Sequence, residues 1–188
     1  GTMFGKRIHH FFKTDSTNTA ALRLGQEDEP HGALVIAEEQ TAGRGRAGRS
    51  WLSEKTSGIY ASVLLRPTLS PMHAPLLTLM AGLAVRDAVA EQTSLAPDIR
   101  WPNDLLLSGK KFCGILTEMH AEPDRVRYVV IGIGLNVSTD PCLLPEGSTS
   151  LAAEGAAHVS REEVVAALCR RFDRWYDAWT ARGFAPIR

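Results

Sequence analysis

GALVIAEEQTAGRGRAGRSWLSEKTSGIYASVLLR, residues 32–66, sets two apolar runs on either side of a stretch of Gly, Arg, Ser and Thr. The runs Gly32–Glu39 and Gly58–Arg66 are rich in β-branched and aliphatic residues and read as strands, with Gln40–Ser57 as a long loop between them. Upstream, Arg7–Lys13 (RIHHFFK) alternates like a first strand. Asp15, Ser16, Thr17 and Asn18 then offer N-cap oxygens to a short helix through Ala20, Ala21, Leu22 and Leu24, expected to stop at Gly25. Downstream, Leu76, Leu79, Met80 and Leu83 fall at helical spacing and predict a helix from Pro71 to about Gln92. Gly82 inside it costs about 1 kcal/mol against alanine, so it is expected to mark close packing. Short strands follow at Ile99–Trp101, Leu105–Leu107, Lys111–Met119 and Arg125–Val137, the middle two joined by a Ser108-Gly109 turn. Pro141–His158 reads as a variable surface loop. Ser160–Glu163 is a capping box, and Val164, Leu168, Phe172, Trp175 and Trp179 make the apolar stripe of a closing helix to about Arg182. Strands before, between and after two long helices predict an α+β fold, with helices packed on a mixed or antiparallel sheet.

The 188 residues carry 21 Lys+Arg and 21 Asp+Glu, a formal charge of zero, with 44% hydrophobic and 22% charged residues. That balance fits one globular domain with a real core and excludes disorder as the general description. No window approaches the ~18 consecutive apolar residues of a membrane span. Without a basic excess, phosphate recognition has to come from a local cluster. Cys113, Cys142 and Cys169 are an odd number at wide spacing, which supports neither a disulfide framework nor a zinc site and points to a reduced, cytoplasmic protein. The histidines are scattered with no metal-binding spacing. Gly1-Thr2 ahead of Met3 reads as an expression scar, leaving 3–188 as one domain.

Four clusters carry candidate chemistry. Thr41–Trp51 holds Arg44, Arg46 and Arg49 with no acid, and its glycines let the backbone approach a ligand and take positive φ. The arginines suit phosphate or carboxylate, and Trp51 offers a flat face. On composition alone the loop reads equally as a solvated linker or an RNA-contacting Arg-Gly stretch. Arg100-Trp101-Pro102-Asn103-Asp104 is ordinary turn chemistry, or places Asp104 as a Mg²⁺ or donor-orienting carboxylate. Lys110-Lys111 is a surface pair at a hairpin, or brings a buried-strand ammonium beside Gly114. Gly132 and Gly134 signal a β-bulge, or backbone passing close to a ligand. No Ser-His-Asp or Cys-His arrangement is supported.

Singly these motifs are weak; their order is specific. Ser16-Thr17-Asn18, Glu39–Trp51, Trp101–Asp104, Lys111–Glu118 and Gly132–Asn136 together resemble the biotin protein ligases, over residues 7 to about 185. The resemblance implies a class II aminoacyl-tRNA synthetase/biotin protein ligase-like catalytic domain acting as a biotin–[biotin carboxyl carrier protein] ligase. ATP, biotin and Mg²⁺ would give biotinyl-5′-AMP and pyrophosphate, and a lysine of a biotin carboxyl carrier protein domain would then take the biotin. By carry-over, Ser16, Thr17, Asn18 and Gln40 bind the biotin ring. Gly43, Arg44, Gly114 and Ile115 wall it, with Leu116 and the strand around Ile133 completing an apolar slot. Lys111, Arg46 and Arg44 are the catalytic cations, reaching carboxylate and α-phosphate. Arg46, Arg49, Trp51, Asn103 and Asn136 hold the nucleotide, and Asp104 the metal.

Relatives with an N-terminal helix-turn-helix repress transcription. Here the first strand begins within ten residues, so no DNA partner is expected; the SH3-like barrel that usually ends the family's chains would start where this sequence stops, so it is expected to be either cut off or naturally missing. A membrane is not expected as a partner either, and a monomer or a homodimer is. Arg100 stands where many relatives have lysine, keeping the charge. A lipoate or octanoyl ligase/transferase is the rival enzyme reading, although it should lack the GRGRxGRxW loop. An RNA-binding module is the rival from another class, opposed by the neutral net charge.

Overall fold

The computed structural model describes residues 3–183, so residues 1–2, read above as an expression scar, and the chain beyond Gly183 lie outside the described residues. Seven strands form one sheet: β1 Ile8–Phe11, β2 Leu34–Ala37, β3 Gly58–Leu65, β4 Asp98–Arg100, β5 Asp104–Leu107, β6 Lys110–Ala121 and β7 Val126–Asn136. Their spatial order is β1-β2-β3-β7-β6-β5-β4. β1 and β2 run parallel, as strands joined through a crossover helix must, and every other pair is antiparallel. The mixed sheet with packed helices is the expected α+β architecture.

Alternation along β7 divides the molecule into two faces. Val129, Ile131, Ile133 and Leu135 point into the main core with α2 (Ala74–Gln92) and α3 (Arg161–Arg182). Tyr128 and Val130 point the other way, where α1 (Thr17–Gln26) packs through Ala20 and Ala21. Gly132, Gly134 and Asn136 continue that second face beyond α1, and there the functional groups gather.

The helices depart from their sequence reading in instructive ways. Leu77, absent from the expected stripe, is fully buried, while Leu76 is only partly so. Helix α2 is wedged between sheet and α3, so most of its circumference is apolar and one stripe describes it poorly. Gly25 does not stop α1, which runs on to Gln26. It lies against Tyr128, where a Cβ would come within 2.6 Å of the ring. Gly82 shows the reverse: a Cβ there would meet Ile115 and Ile99 at 3.8 Å, ordinary contact, so close packing does not require it. Ser160 caps α3 by accepting from the Glu163 amide at 3.3 Å. Trp175 then ties α3 to α2, its indole donating to Asp87 at 2.8 Å. Among the described residues, no helix is long and apolar enough to cross a membrane.

Candidate active site

The loop between β2 and β3 folds over the glycine face of the sheet and roofs a cavity of about 440 Å³. Ser16, Thr17, Asn18, Gln40, Arg44, Arg46, Arg49, Trp51, Asn103, Asp104, Lys111, Gly114, Ile115 and Asn136 all line it, so five separated motifs converge on one space.

At one end, the start of α1 is tied to the loop. Ser16 is the N-cap residue but its hydroxyl makes no capping bond. Gln40 Oε1 takes over that task, accepting from Thr17 N at 2.8 Å and from Thr17 Oγ1 at 3.2 Å. Gln40 Nε2 donates to Ser53 Oγ at 2.7 Å, which anchors the far side of the loop. Asn18 sits where Gly132 has no side chain: a Cβ there would fall 2.1 Å from Asn18 Oδ1. Asn18 Nδ2 donates to Glu118 Oε2 at 2.8 Å, and its Oδ1 accepts from Ser62 Oγ at 2.6 Å. Ser16 therefore keeps its hydroxyl for a ligand, whereas most polar groups of Thr17, Asn18 and Gln40 are already engaged.

Trp51 forms the middle of the roof. Gly114 and Gly134 face each other in register across β6 and β7, and the indole covers both. Cβ atoms at these positions would come within 2.9 Å and 2.5 Å of its ring. The register through Gly132 and Gly134 is regular on both neighbouring strands, so they form no β-bulge. Trp51 Nε1 is buried without a hydrogen-bond partner. Gly43 does not line the cavity; its backbone packs on that of Trp51, where a Cβ would meet the Trp51 carbonyl at 2.4 Å. Of the three loop glycines only Gly48 takes a positive φ, 73°, and Ala47 beside it does so too, at 58°.

The floor at the other end is cationic. Lys111 is 22% exposed, which removes the surface-lysine reading. Its ammonium lies 2.7 Å from Asp104 Oδ1 and 5.3 Å over the Trp51 ring. Arg100 donates to Asp104 Oδ2 at 2.7 Å. Burial pushes the Asp104 carboxyl upward, but the Arg100 hydrogen bond and the Lys111 charge prevail and hold it below its usual range. Arg44 pairs with Glu118. Among the described residues Arg46 and Arg49 have no acidic partner.

Ile115 and Ile133 border the cavity, yet their side chains lie in the main core on the α2 face; Leu116 is on the cavity face. Asn103 Nδ2 donates to the Ile115 carbonyl at 3.2 Å. Asn136 is buried and donates to the Thr149 carbonyl at 3.0 Å, fixing the segment after β7. That segment overturns the reading of Pro141–His158 as a mere surface loop. Leu144–Ser148 lines the cavity, the Lys111 amide donates to Gly147, and the Thr149 amide donates to Lys111, each at 2.8 Å.

The residues around Asp104 do not fit a divalent cation. Its two oxygens each face a side-chain cation, and the described residues hold no group of three or more His, Cys, Asp or Glu placed to share a metal.

Comparison with known proteins gives a concordant result. The Biotin/lipoate A/B protein ligase family matches residues 11–136. The bifunctional ligase/repressor BirA of Bacillus subtilis is 40% identical over 99% of this chain and 58% of its own length. The biotin–[acetyl-CoA-carboxylase] ligase of Paracoccus denitrificans is 39% identical over 94% of this chain and 75% of its own length. Among solved structures, the biotin protein ligase from Aquifex aeolicus in complex with biotin and ATP superposes with a TM-score of 0.81 at 29% identity, covering 97% of this chain and 75% of that one. The chain thus spans a little under three-fifths of the Bacillus relative.

Proposed function

Since the chain belongs to the biotin/lipoate A/B protein ligase family, we propose that its cavity activates biotin with ATP and passes it to a lysine of a biotin carboxyl carrier protein domain. The observation that carries this reading is the polarity of the cavity. Hydroxyl and amide groups sit at the α1 end and the Lys111 ammonium at the other, beside Asp104 and Trp51, while Arg46 and Arg49, without acidic partners among the described residues, line the same space from the loop.

Biotin has the matching polarity, a hydrogen-bonding ureido ring joined through an apolar chain to a carboxylate. Ser16 would meet the ring, with Thr17, Asn18 and Gln40 holding the pocket's shape. The carboxylate and the triphosphate repel each other, so activation needs cations between them. Lys111, Arg46 and Arg49 supply these. A carboxylate oxygen attacks the α-phosphorus, the bond to pyrophosphate breaks, and charge building on the phosphoryl oxygens meets ammonium and guanidinium groups already in place. The lysine amine of the acceptor then attacks the carbonyl carbon of the anhydride and AMP leaves. Between the two steps the loop shields the anhydride from water. Trp51, Asn103 and Asn136 are assigned to the nucleotide, Trp51 by its flat face and Asn136 by fixing the Leu144–Ser148 wall. Mg²⁺ is not assigned to Asp104, and no step here runs through a metal. The unbridged Cys113, Cys142 and Cys169 support a reducing compartment, the cytoplasm.

The test is pyrophosphate release with biotin and magnesium ATP. Release that depends on biotin supports the reading, and release indifferent to biotin rejects it. Thermal unfolding with biotin against lipoate assigns the acid: at ~100 Kd the true ligand adds about 2.7 kcal/mol, and stabilisation by lipoate alone would move the assignment.

A further inference from the structure

Glu118 belongs to no element of the chemistry described above, does not line the cavity, and makes two contacts that no other residue combines. It lies on β6 opposite Val130, on the cavity face, two residues beyond Leu116. Its Oε2 receives both the Arg44 guanidinium from the loop and, at 2.8 Å, Asn18 Nδ2 from α1. The other contacts of the roof show what this does. Between Gly43 and Leu52, backbone bonds stay within the loop: Trp51 N to Gly43 O, Gly45 N to Arg49 O, and the Arg44–Ser50 bridge. The Arg49 side chain also turns inward, to the Arg46 carbonyl. Among the described residues, Arg44–Glu118 is the single ion pair or side-chain hydrogen bond that joins Gly43–Leu52 to anything outside the loop.

The carboxylate also closes a polar circuit. From Glu118 it runs through Asn18 to Ser62, whose hydroxyl lies 2.8 Å from Thr17 Oγ1. Thr17 bonds Gln40, and Gln40 bonds Ser53 back in the loop. Both ends of the roof are therefore referred to the first turn of α1, one through Gln40 and the other through Glu118.

We infer that Glu118 is a positioning residue: it latches the arginine loop over the cavity through Arg44 and ties that latch, through Asn18, to the α1 end where the biotin ring is assigned. Only the last part rests on the ligase reading. The latch is a property of the ligand-free protein, and the pair is partly exposed, so its hold is modest and sensitive to salt.

Glu118→Gln tests it, because the amide oxygen still accepts from Asn18 while the charge facing Arg44 is gone. Hydrogen exchange of the amides in residues 43–51, without ligand, is expected to speed up about fivefold, the upper end for an exposed pair, with exchange in β6 and β7 unchanged. Raised salt is expected to bring wild type toward the variant and leave the variant unmoved, which a purely steric role would not produce. Glu118→Arg alone should loosen the loop further, and Glu118→Arg with Arg44→Glu should restore part of the protection. Equal loop exchange in wild type and Glu118→Gln at low salt overturns the inference, as does failure of the reversed pair to outdo Glu118→Arg. Adding biotin and ATP separates the two readings. If Glu118→Gln loosens the loop but neither ligand protects the wild-type loop, the latch stands and the ligase reading falls.

Discussion

Asp104 Oδ1 lies 2.7 Å from Lys111 Nζ across the β5–β6 hairpin, and Arg100 holds the other oxygen of the same carboxylate at the same distance. One acid between two cations fixes the ammonium on the cavity floor without cancelling the positive field. That geometry suits a group stabilising charge that appears only in the transition state.

Lys111→Ala should therefore lower biotin-dependent pyrophosphate release by at least ~10²-fold, the usual loss when a preorganised charge donor is removed. Arg100 remains to pair Asp104, so the fold should persist, and circular dichroism checks that it does. A rate equal to wild type would take Lys111 out of the reaction.

Asp104→Asn makes a prediction with a definite sign in pH. The folded carboxyl sits below its ordinary 3.8, burial opposing the shift and Arg100 and Lys111 driving it. In the window between the folded and unfolded values the unfolded chain binds more protons. The carboxylate's contribution is thus present above 3.8 and lost as pH falls through the folded value. Urea unfolding should show wild type more stable than Asp104→Asn near neutrality, with the gap closing in acid below 3.8. A gap that stays constant into that range would show that the charge is not its source.

Gly134→Ala should dismantle the roof. The added carbon would lie 2.5 Å from Trp51 Cε2 and 2.6 Å from Nε1, and strand backbone on both sides prevents β7 from yielding. The indole must leave, so adenylate formation should fall by about 10²-fold from misplacement alone. Tryptophan emission of the ligand-free protein should shift red as the ring meets water. Unchanged emission with unchanged rate would mean that Trp51 does not need the glycine floor.

The strands and the closing helix were legible because periods of 2 and 3.6 record directly which residues share a face, whereas α2, apolar around most of its circumference, was legible from the length of its apolar run more than from one stripe. The cavity was legible where a residue type has few other uses, as with three arginines among glycines or a lone Asn-Asp after Pro102. Glu118 was not, because a single acid at the end of an apolar strand gives no local sign of its partner. Its role comes from strand register, which sets it two positions from Leu116 and within reach of both α1 and the loop. Leu144–Ser148 escaped for a different reason. Its Pro and Gly look the same in a solvated loop as in a wall, and only the backbone bonds to Lys111 distinguish the two. Gly132 and Gly134 show the same limit, since a bulge and a binding floor ask for one residue type.

Two glycines inside helices, alike in sequence, should respond to alanine with opposite signs. Alanine is favoured over glycine in a helix by about 0.8–1 kcal/mol, chiefly because it has less freedom to lose on folding. At Gly82 the new methyl would stand 3.8 Å from Ile115 Cδ1 and Ile99 Cδ1, filling space between α2 and the sheet without displacing either. Gly82→Ala should raise stability by roughly 0.5–1 kcal/mol. At Gly25 the methyl would fall 2.6 Å from Tyr128 Cε2 and 2.7 Å from Cδ2. That ring is buried, and the Arg66 guanidinium lies over it, 5.5 Å from its centroid. Arg66 also donates to the Gly25 carbonyl at 2.8 Å, so the ring has no free direction in which to move. Gly25→Ala should cost about 1–3 kcal/mol, as overpacking of a filled core does, despite the better helix former. Urea midpoints of the two variants against wild type measure both. If Gly25→Ala proved as stable as Gly82→Ala, the contact between α1 and Tyr128 would have to be looser than the structure draws it.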